Sequence, residues 1–150
     1  MIGIGDRAPG FDVPLPDGSR AALSELLARG PIVLFFYPKD DSPGCTAEAC
    51  SFRDAYAAFT DGGAQVIGIS SDSPESHAAF AQKHRLPYPL ASDPGGAIRT
   101  AYGVPKALGL LPGRVTYVID RDGIVRSTFN SMFAPQKHVE AALEVLKTLR

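Results

Sequence analysis

Six apolar residues stand together without a break at Ile32-Val33-Leu34-Phe35-Phe36-Tyr37, and Pro38 ends the run. A strand of this kind has no polar face to turn to water. It needs cover on both sides, which is the situation of a central strand in a layered α/β sheet. Gln65-Val66-Ile67-Gly68-Ile69-Ser70 is a second run of strand length. Residues 44–60 lie between the two and fit one helix, so the order is strand, helix, strand.

The remaining segments agree with that order. Residues 5–20 are rich in Pro, Gly and Asp and predict short extended pieces joined by a turn at Asp17-Gly18. A short helix over residues 23–28, capped by Ser24 or a neighbour, ends at Gly30. Ser73-Pro74 opens a helix that runs to about residue 85, with Pro in its preferred first position. A short strand at residues 88–91 and a short helix at 95–102 follow. Residues 115–119 and 124–128 form a hairpin across Asp120-Arg121-Asp122-Gly123. The last helix starts near Pro135 and carries Val139, Ala142, Leu143, Leu146 and Leu149 on one face. The 150 residues form one domain, with an apolar content of 45% that suffices for a full core. The expected fold is thioredoxin-like: α/β, with a central mixed sheet and helices on both faces.

Several classes of function are set aside. The net charge of −1, with both signs interspersed, gives no footprint for nucleic acid or an anionic membrane. No apolar run is long enough to span a bilayer. The start, Met1-Ile2-Gly3-Ile4-Gly5-Asp6-Arg7, does not read as a secretory signal, and the expected location is cytoplasmic. Gly3-x-Gly5-x-x-Ala8 nominally matches a dinucleotide fingerprint, but no strand precedes it and Pro9 follows. Two cysteines separated by four residues do not make a zinc set, and no metal or cofactor is expected. His77 and His84 are about 10.5 Å apart along a helix and are read as a solvated face. His138 is read as a surface residue. Asp120-Arg121-Asp122-Gly123 lacks the rest of a calcium loop.

The chemistry concentrates in Pro38-Lys39-Asp40-Asp41-Ser42-Pro43-Gly44-Cys45-Thr46-Ala47-Glu48-Ala49-Cys50. This segment lies where a buried strand ends and a helix begins, the usual place for a site in an open α/β sheet. Cys45 falls in the first helical turn, where unpaired N–H groups and the dipole favour thiolate over thiol. Pro43-Gly44 lets backbone approach closely, and Ser42 adds a hydroxyl that donates and accepts. Glu48 is read as a dipole partner rather than an acid or base.

At roughly 100° per residue, Cys45, Ala49, Phe52, Tyr56 and Phe59 share a core-facing stripe, and Cys50 points about 140° away from Cys45. Residues five apart in a helix have Cα atoms about 8.6 Å apart. A disulfide needs them within about 7 Å. Cys45 and Cys50 therefore cannot bond until the first turns unwind.

These residues resemble the peroxiredoxin family. Pro38-x-x-x-Ser42-x-x-Cys45 is similar to its active-site motif, and the run from Phe36 through Thr46, with Cys50 five residues after Cys45, is similar to the peroxiredoxin Q group, also called bacterioferritin comigratory protein. Gly5-Asp6-x-Ala8-Pro9-x-Phe11, Tyr88-Pro89-Leu90-x-Ser92-Asp93 and Arg114-Val115-Thr116-Tyr117-Val118-Ile119-Asp120 extend the likeness over nearly the whole chain. Ser42 departs from the threonine usual in this group. The resemblance implies that Cys45 attacks a hydroperoxide and becomes a sulfenic acid. It implies that Ser42 and Arg114 hydrogen-bond sulfur and peroxide, that Pro38 shields the pocket, and that Cys50 condenses with the sulfenic acid. It also implies recycling by thioredoxin or a similar dithiol, and a monomer.

Other readings of the residues stay open at this point. Free cysteine is most often a small buried hydrophobe, Cys50 can be an unreactive thiol beside an external resolving one, and Arg114 can be a surface residue at a strand start. A general thiol–disulfide oxidoreductase and a redox sensor would draw on the same sulfur chemistry.

Overall fold

A computed structural model describes residues 1–107, 111–132 and 134–149. The elements are β1 (Asp12–Pro14), β2 (Arg20–Ala22), α1 (Leu23–Leu27), β3 (Ile32–Phe36), α2 (Pro43–Asp54), α3 (Tyr56–Asp61) and β4 (Gln65–Ser70). They continue with α4 (Pro74–His84), β5 (Leu90–Ser92), α5 (Ala97–Tyr102), β6 (Lys106–Ala107), β7 (Leu111–Pro112), β8 (Val115–Ile119), β9 (Val125–Asn130) and α6 (Pro135–Leu146).

The five-stranded sheet runs β5-β4-β3-β8-β9. β3 pairs parallel with β4 and antiparallel with β8, so the sheet is mixed and β3 is central. Every residue of β3 is buried. Alternation along it divides the core in two. Ile32, Leu34 and Phe36 join one cluster with Ile98 and Tyr102 of α5. Val33, Phe35 and Tyr37 join the other with Cys45, Phe52, Phe59, Phe80, Val139 and Ala142 from α2, α3, α4 and α6. The expected two-sided covering of the run at residues 32–37 is thus the central structural fact of the molecule.

Three local expectations are corrected. The single helix over residues 44–60 is two, because Ala55 (φ −96°, ψ 4°) ends α2 before α3 begins. Alanine is a good helix former, so no local residue announces this break. α1 has Ala22 at its N-cap with no side-chain hydrogen bond, and Ser24 lies within the helix. The strand expected at residues 88–91 is displaced to Leu90–Ser92. α4 begins as read: the Ser73 side chain accepts from the Ser76 N–H, with Pro74 next. No helix among the described residues is long and apolar enough to cross a membrane.

Register carries the fold to the site. Phe36 pairs with Val115, the first residue of antiparallel β8. The chain leaving β3 toward Cys45 therefore departs beside the residue that enters β8, which is Arg114. Phe52 then anchors α2 by stacking on Phe35, with ring centroids 4.6 Å apart. Gly68 makes room for that ring: a Cβ there would lie 2.8 Å from Phe35 Cζ and 2.8 Å from Leu90 Cδ2.

Candidate active site

Cys45 is 1% exposed and lies in the first turn of α2. The first bond of the helical ladder runs from the Thr46 N–H to the Ser42 carbonyl at 2.8 Å. The N–H groups of Gly44 and Cys45 precede that ladder and leave positive potential near the sulfur. Arg114 Nη2 donates to Cys45 Sγ at 3.2 Å. Arg114 is itself only 3% exposed. A guanidinium in contact with sulfur away from water stabilises negative charge there. Gly44 permits the contact, because a Cβ at that position would stand 3.0 Å from Arg114 Nη2.

Pro38 is half-buried at the mouth of the loop, and Ser42 is the N-cap of α2. The Ser42 hydroxyl donates to the Lys39 carbonyl at 2.9 Å and makes no cap bond. Cys50 is half-buried on the opposite side of α2, and both cysteines are free thiols in one continuous helix. The geometry thus brings Cys45 and Arg114 together, places Ser42 and Pro38 on the loop leading to them, and holds Cys50 apart.

Arg99 is a residue that sequence reasoning missed. Its Nη1 donates to the Gly113 carbonyl at 2.7 Å and its Nη2 to the Tyr37 carbonyl at 2.9 Å. It therefore clips the backbone before Pro38 to the backbone before Arg114. It lies in a short helix beside apolar Ile98, and a lone arginine there carries no distinguishing signal.

Two acid–histidine pairs flank the site, and here the sequence expectations fail. His77, expected on a solvated face, is fully buried. Its Nδ1 lies 2.8 Å from Asp40 Oδ2 and its Nε2 lies 3.1 Å from the Ala91 carbonyl. Asp40 also accepts from the Tyr37 hydroxyl at 2.6 Å and the Ser76 hydroxyl at 2.8 Å. Burial opposes its charge, but the bonds from His77, Tyr37 and Ser76 prevail and hold its carboxyl below the usual carboxylate range. Asp72 stands close to this pair: an Asp72 carboxylate oxygen, an Asp40 oxygen and a His77 nitrogen lie within 4.8 Å of one another. Asp72 Oδ2 accepts from the Asp40 N–H and the Ser70 hydroxyl. These internal bonds account for the cluster without an ion.

His138, expected at the surface, is also fully buried, as is Glu48, expected as a first-turn dipole partner. Arg114 Nη1 donates to Glu48 Oε1 at 3.3 Å. Burial pushes the Glu48 carboxyl up to about 8 although Arg114 pulls the other way. Burial pushes His138 down to about 4, with Arg114 adding to the effect against a bond to Ser131. A helical stripe drawn wider than the one used for Cys45 would have included Glu48, which lies four residues before the buried Phe52.

The model of the AhpC/TSA family matches residues 4–128. The chain belongs to the AhpC/TSA family. It is 49% identical over 149 residues to the chloroplastic peroxiredoxin Q of Suaeda salsa, spanning 99% of this chain and 69% of that protein. It is 48% identical to the chloroplastic peroxiredoxin Q of Populus jackii, spanning 99% and 70%. The solved structure of the peroxidoxin BcpB from Mycobacterium tuberculosis superposes with a TM-score of 0.92 at 40% identity, over 100% of this chain and 99% of that one. Peroxiredoxin Q from Xanthomonas campestris gives a TM-score of 0.84 at 30% identity, over 92% and 90%.

The expected likeness to peroxiredoxins of the Q group is borne out, and with it the thioredoxin-like layered fold of this AhpC/TSA chain. The cytoplasmic location is corrected. The relatives at 48% and 49% identity are named as chloroplastic proteins, which goes against that expectation.

Proposed function

We propose that this peroxiredoxin, an oxidoreductase that reduces peroxides with thiols, uses Cys45 as its peroxidatic nucleophile and Cys50 as its resolving thiol. The observation that carries the reading is the 3.2 Å contact between Arg114 Nη2 and a Cys45 sulfur almost closed to water. The thiolate sulfur attacks the terminal peroxide oxygen, the O–O bond breaks, and the departing alkoxide takes a proton. Sulfur is oxidised to sulfenic acid and the peroxide is reduced to an alcohol, or to water from hydrogen peroxide. Arg114 stabilises charge as it moves from sulfur to the departing oxygen. The Ser42 hydroxyl turns from the Lys39 carbonyl toward the peroxide. A serine does this more freely than the β-branched threonine usual in the group. Pro38 keeps water from the mouth of the pocket.

The Cys50 sulfur then attacks the sulfenic acid, an S–S bond forms, and water leaves. Both cysteines lie in α2, so the first turns of that helix unwind before the bond can close. Thioredoxin or a similar dithiol reduces the disulfide by exchange. Residues 1–150 act as one domain and as a monomer, without metal or organic cofactor. Hydrogen peroxide and small organic hydroperoxides are the substrates. A solved 30%-identical bacterioferritin comigratory protein of X. campestris, described with alkyl peroxide reduction activity, supports that substrate class.

The test is intact mass after one equivalent of hydrogen peroxide, followed by peptide mapping. Loss of two hydrogens mapped to a Cys45–Cys50 bridge is the expected result. A persistent added oxygen on Cys45 with Cys50 free would transfer resolution to an outside thiol, and no reaction at Cys45 would overturn the assignment.

A further inference from the structure

The hydrogen-bond ladder between β3 and β8 ends at the pair Phe36–Val115. The site begins just beyond it, with Pro38 after Tyr37 on one side and Arg114 before Val115 on the other. Among the described residues no backbone hydrogen bond joins residues 37–38 to residues 113–114. The Tyr37 N–H turns the other way, to the Ile69 carbonyl at 3.1 Å. The sheet itself therefore does not fix the spacing between the thiol loop and the segment that carries the guanidinium.

Arg99 spans that gap. It reaches over the end of the sheet from α5, and its guanidinium lies 5.7 Å from the centroid of the Phe36 ring. Nη1 donates to the Gly113 carbonyl at 2.7 Å and Nη2 to the Tyr37 carbonyl at 2.9 Å. One planar fork thus sets the separation of the two segments. α5 is too short to stand on its own hydrogen bonds and is fastened from outside. Buried Asp93 accepts from the Ile98 N–H at 2.9 Å and from the Arg99 N–H at 3.0 Å. Its own N–H donates to the Ser70 carbonyl at 2.9 Å. The base of Arg99 is tied in this way to the ends of β4 and β5, and its tip to the end of β3 and the start of β8.

The Arg114 guanidinium stands at the end of a long side chain. A small tilt of the Gly113–Arg114 peptide moves it away from Cys45 Sγ at 3.2 Å and Glu48 Oε1 at 3.3 Å. A misplacement of about 1 Å can cost on the order of 100-fold in rate. We propose that Arg99 is a positioning residue for the peroxidase: by clamping the Tyr37 and Gly113 carbonyls it holds the Arg114 guanidinium against the Cys45 sulfur. This rests on the assignment of Cys45 as nucleophile. Both bonds of the clamp end on backbone, so Arg99 acts through Arg114. A lysine at position 99 keeps the positive charge and loses the planar fork, which separates geometry from charge.

The experiment uses the full chain carrying Cys50→Ser, so that no intramolecular disulfide forms, and follows Cys45 oxidation by hydrogen peroxide through quenched intact mass. Arg99→Lys and Arg99→Met are both expected to lower the second-order rate about tenfold or more. Carbon-detected NMR of the arginine side chains is expected to show the Arg114 guanidinium held in the parent and turning faster about its Nε–Cζ bond in both variants. In an Arg114→Lys background, Arg99→Lys should change the rate less than about twofold, because the group through which it acts is gone. A full rate in Arg99→Lys would assign charge alone to Arg99 and overturn the proposal. So would rate losses that multiply in the double variant. A merely structural Arg99 would lower the urea midpoint and leave the rate and the Arg114 signal unchanged, which also overturns it. If Arg99→Met does not fold, Arg99→Lys decides. A parent whose Cys45 never reacts, with an Arg114 signal that loosens in Arg99→Lys, would overturn the nucleophile assignment and keep the clamp.

Discussion

The pair Asp40–His77 and the pair Glu48–His138 sit on either side of the first turn of α2, and both histidines are completely buried. Yet one acid is held below the usual carboxylate range and the other is raised to about 8. Burial raises both, so burial is not the difference. The number of donors is. Asp40 accepts from a histidine, a tyrosine hydroxyl and a serine hydroxyl, all within 2.8 Å. Glu48 has one donor, Arg114 at 3.3 Å, and its second oxygen accepts nothing among the described residues. A buried carboxyl surrounded by donors is a charged fastener, whereas one starved of them keeps its proton. The first pair ties the loop before Cys45 to α4, and the second lies behind Arg114, whose guanidinium meets both Glu48 and the Cys45 sulfur.

The comparison can be broken or sharpened by experiment. The largest effect belongs to the atom that only one pair serves: Cys45→Ser should abolish peroxide turnover in a steady-state assay while leaving the fold intact. Substantial residual turnover would mean that the Glu48 side is not where the chemistry lies. Asp40→Ala should act on stability instead. It strips the acceptor from His77, Tyr37 and Ser76 in the core, at a cost of about 3 kcal/mol or more in denaturant unfolding. A loss well under 1 kcal/mol would show that the network is not a fastener.

The two pairs should also differ in the pH range where they weaken the fold. Asp40 has a depressed folded value, so its stabilisation is complete above the unfolded value of 3.8 and is lost as pH falls below it. Glu48 has a raised folded value, so its contribution is complete below its unfolded value of 4.5 and is lost as pH rises to about 8. His138, shifted from 6.5 down to about 4, acts in the opposite sense between those two values and masks the Glu48 slope there. A net loss approaching 1.4 kcal/mol per pH unit should therefore emerge between about pH 6.5 and 8. Urea titrations across that interval should lose this slope in Glu48→Gln. The smallest effect is expected at Lys83→Ala. Its ammonium meets Asp41 at 3.2 Å, but the pair is exposed, so its removal should cost no more than about 0.5 kcal/mol by the same method. A larger loss would mean that α4 grips the loop through its surface as well as through His77.

The architecture was legible because it rests on patterns that a single chain displays. The unbroken run at residues 32–37, the Ser73-Pro74 helix start and the Asp120–Gly123 turn each carry their own signal. The Cys45 segment was legible for the same reason, since a strand end, a Pro-Gly pair and a helix start coincide there. What could not be read was the second layer. His77 lies three residues before the buried Phe80, and His138 lies four before the buried Ala142. Helical spacing puts each on an inward face. Whether such a face meets water or a carboxylate depends on which other segment arrives opposite it. Asp40 and Glu48 come from parts of the chain 37 and 90 residues away from their histidines. The Ala55 break and the double clip by Arg99 are hidden for a similar reason: each answers to its tertiary surroundings and to no local rule.

The position of Glu48 between the two cysteines has a consequence for energetics. If the proposed Cys45–Cys50 bridge forms, it closes a ring that contains Glu48, and the unwinding of the first turns of α2 takes the carboxyl out of its pocket. In water it releases its proton at the ordinary acidity of a glutamate, and it takes the proton back when the helix re-forms on reduction. Between about pH 4.5 and 8, reducing the enzyme therefore binds one proton more than the thiols alone require. Its midpoint potential should fall more steeply with pH than that of a simple dithiol. Acidity then becomes a second currency, beside the supply of reductant, in which the resting state of the catalyst is set.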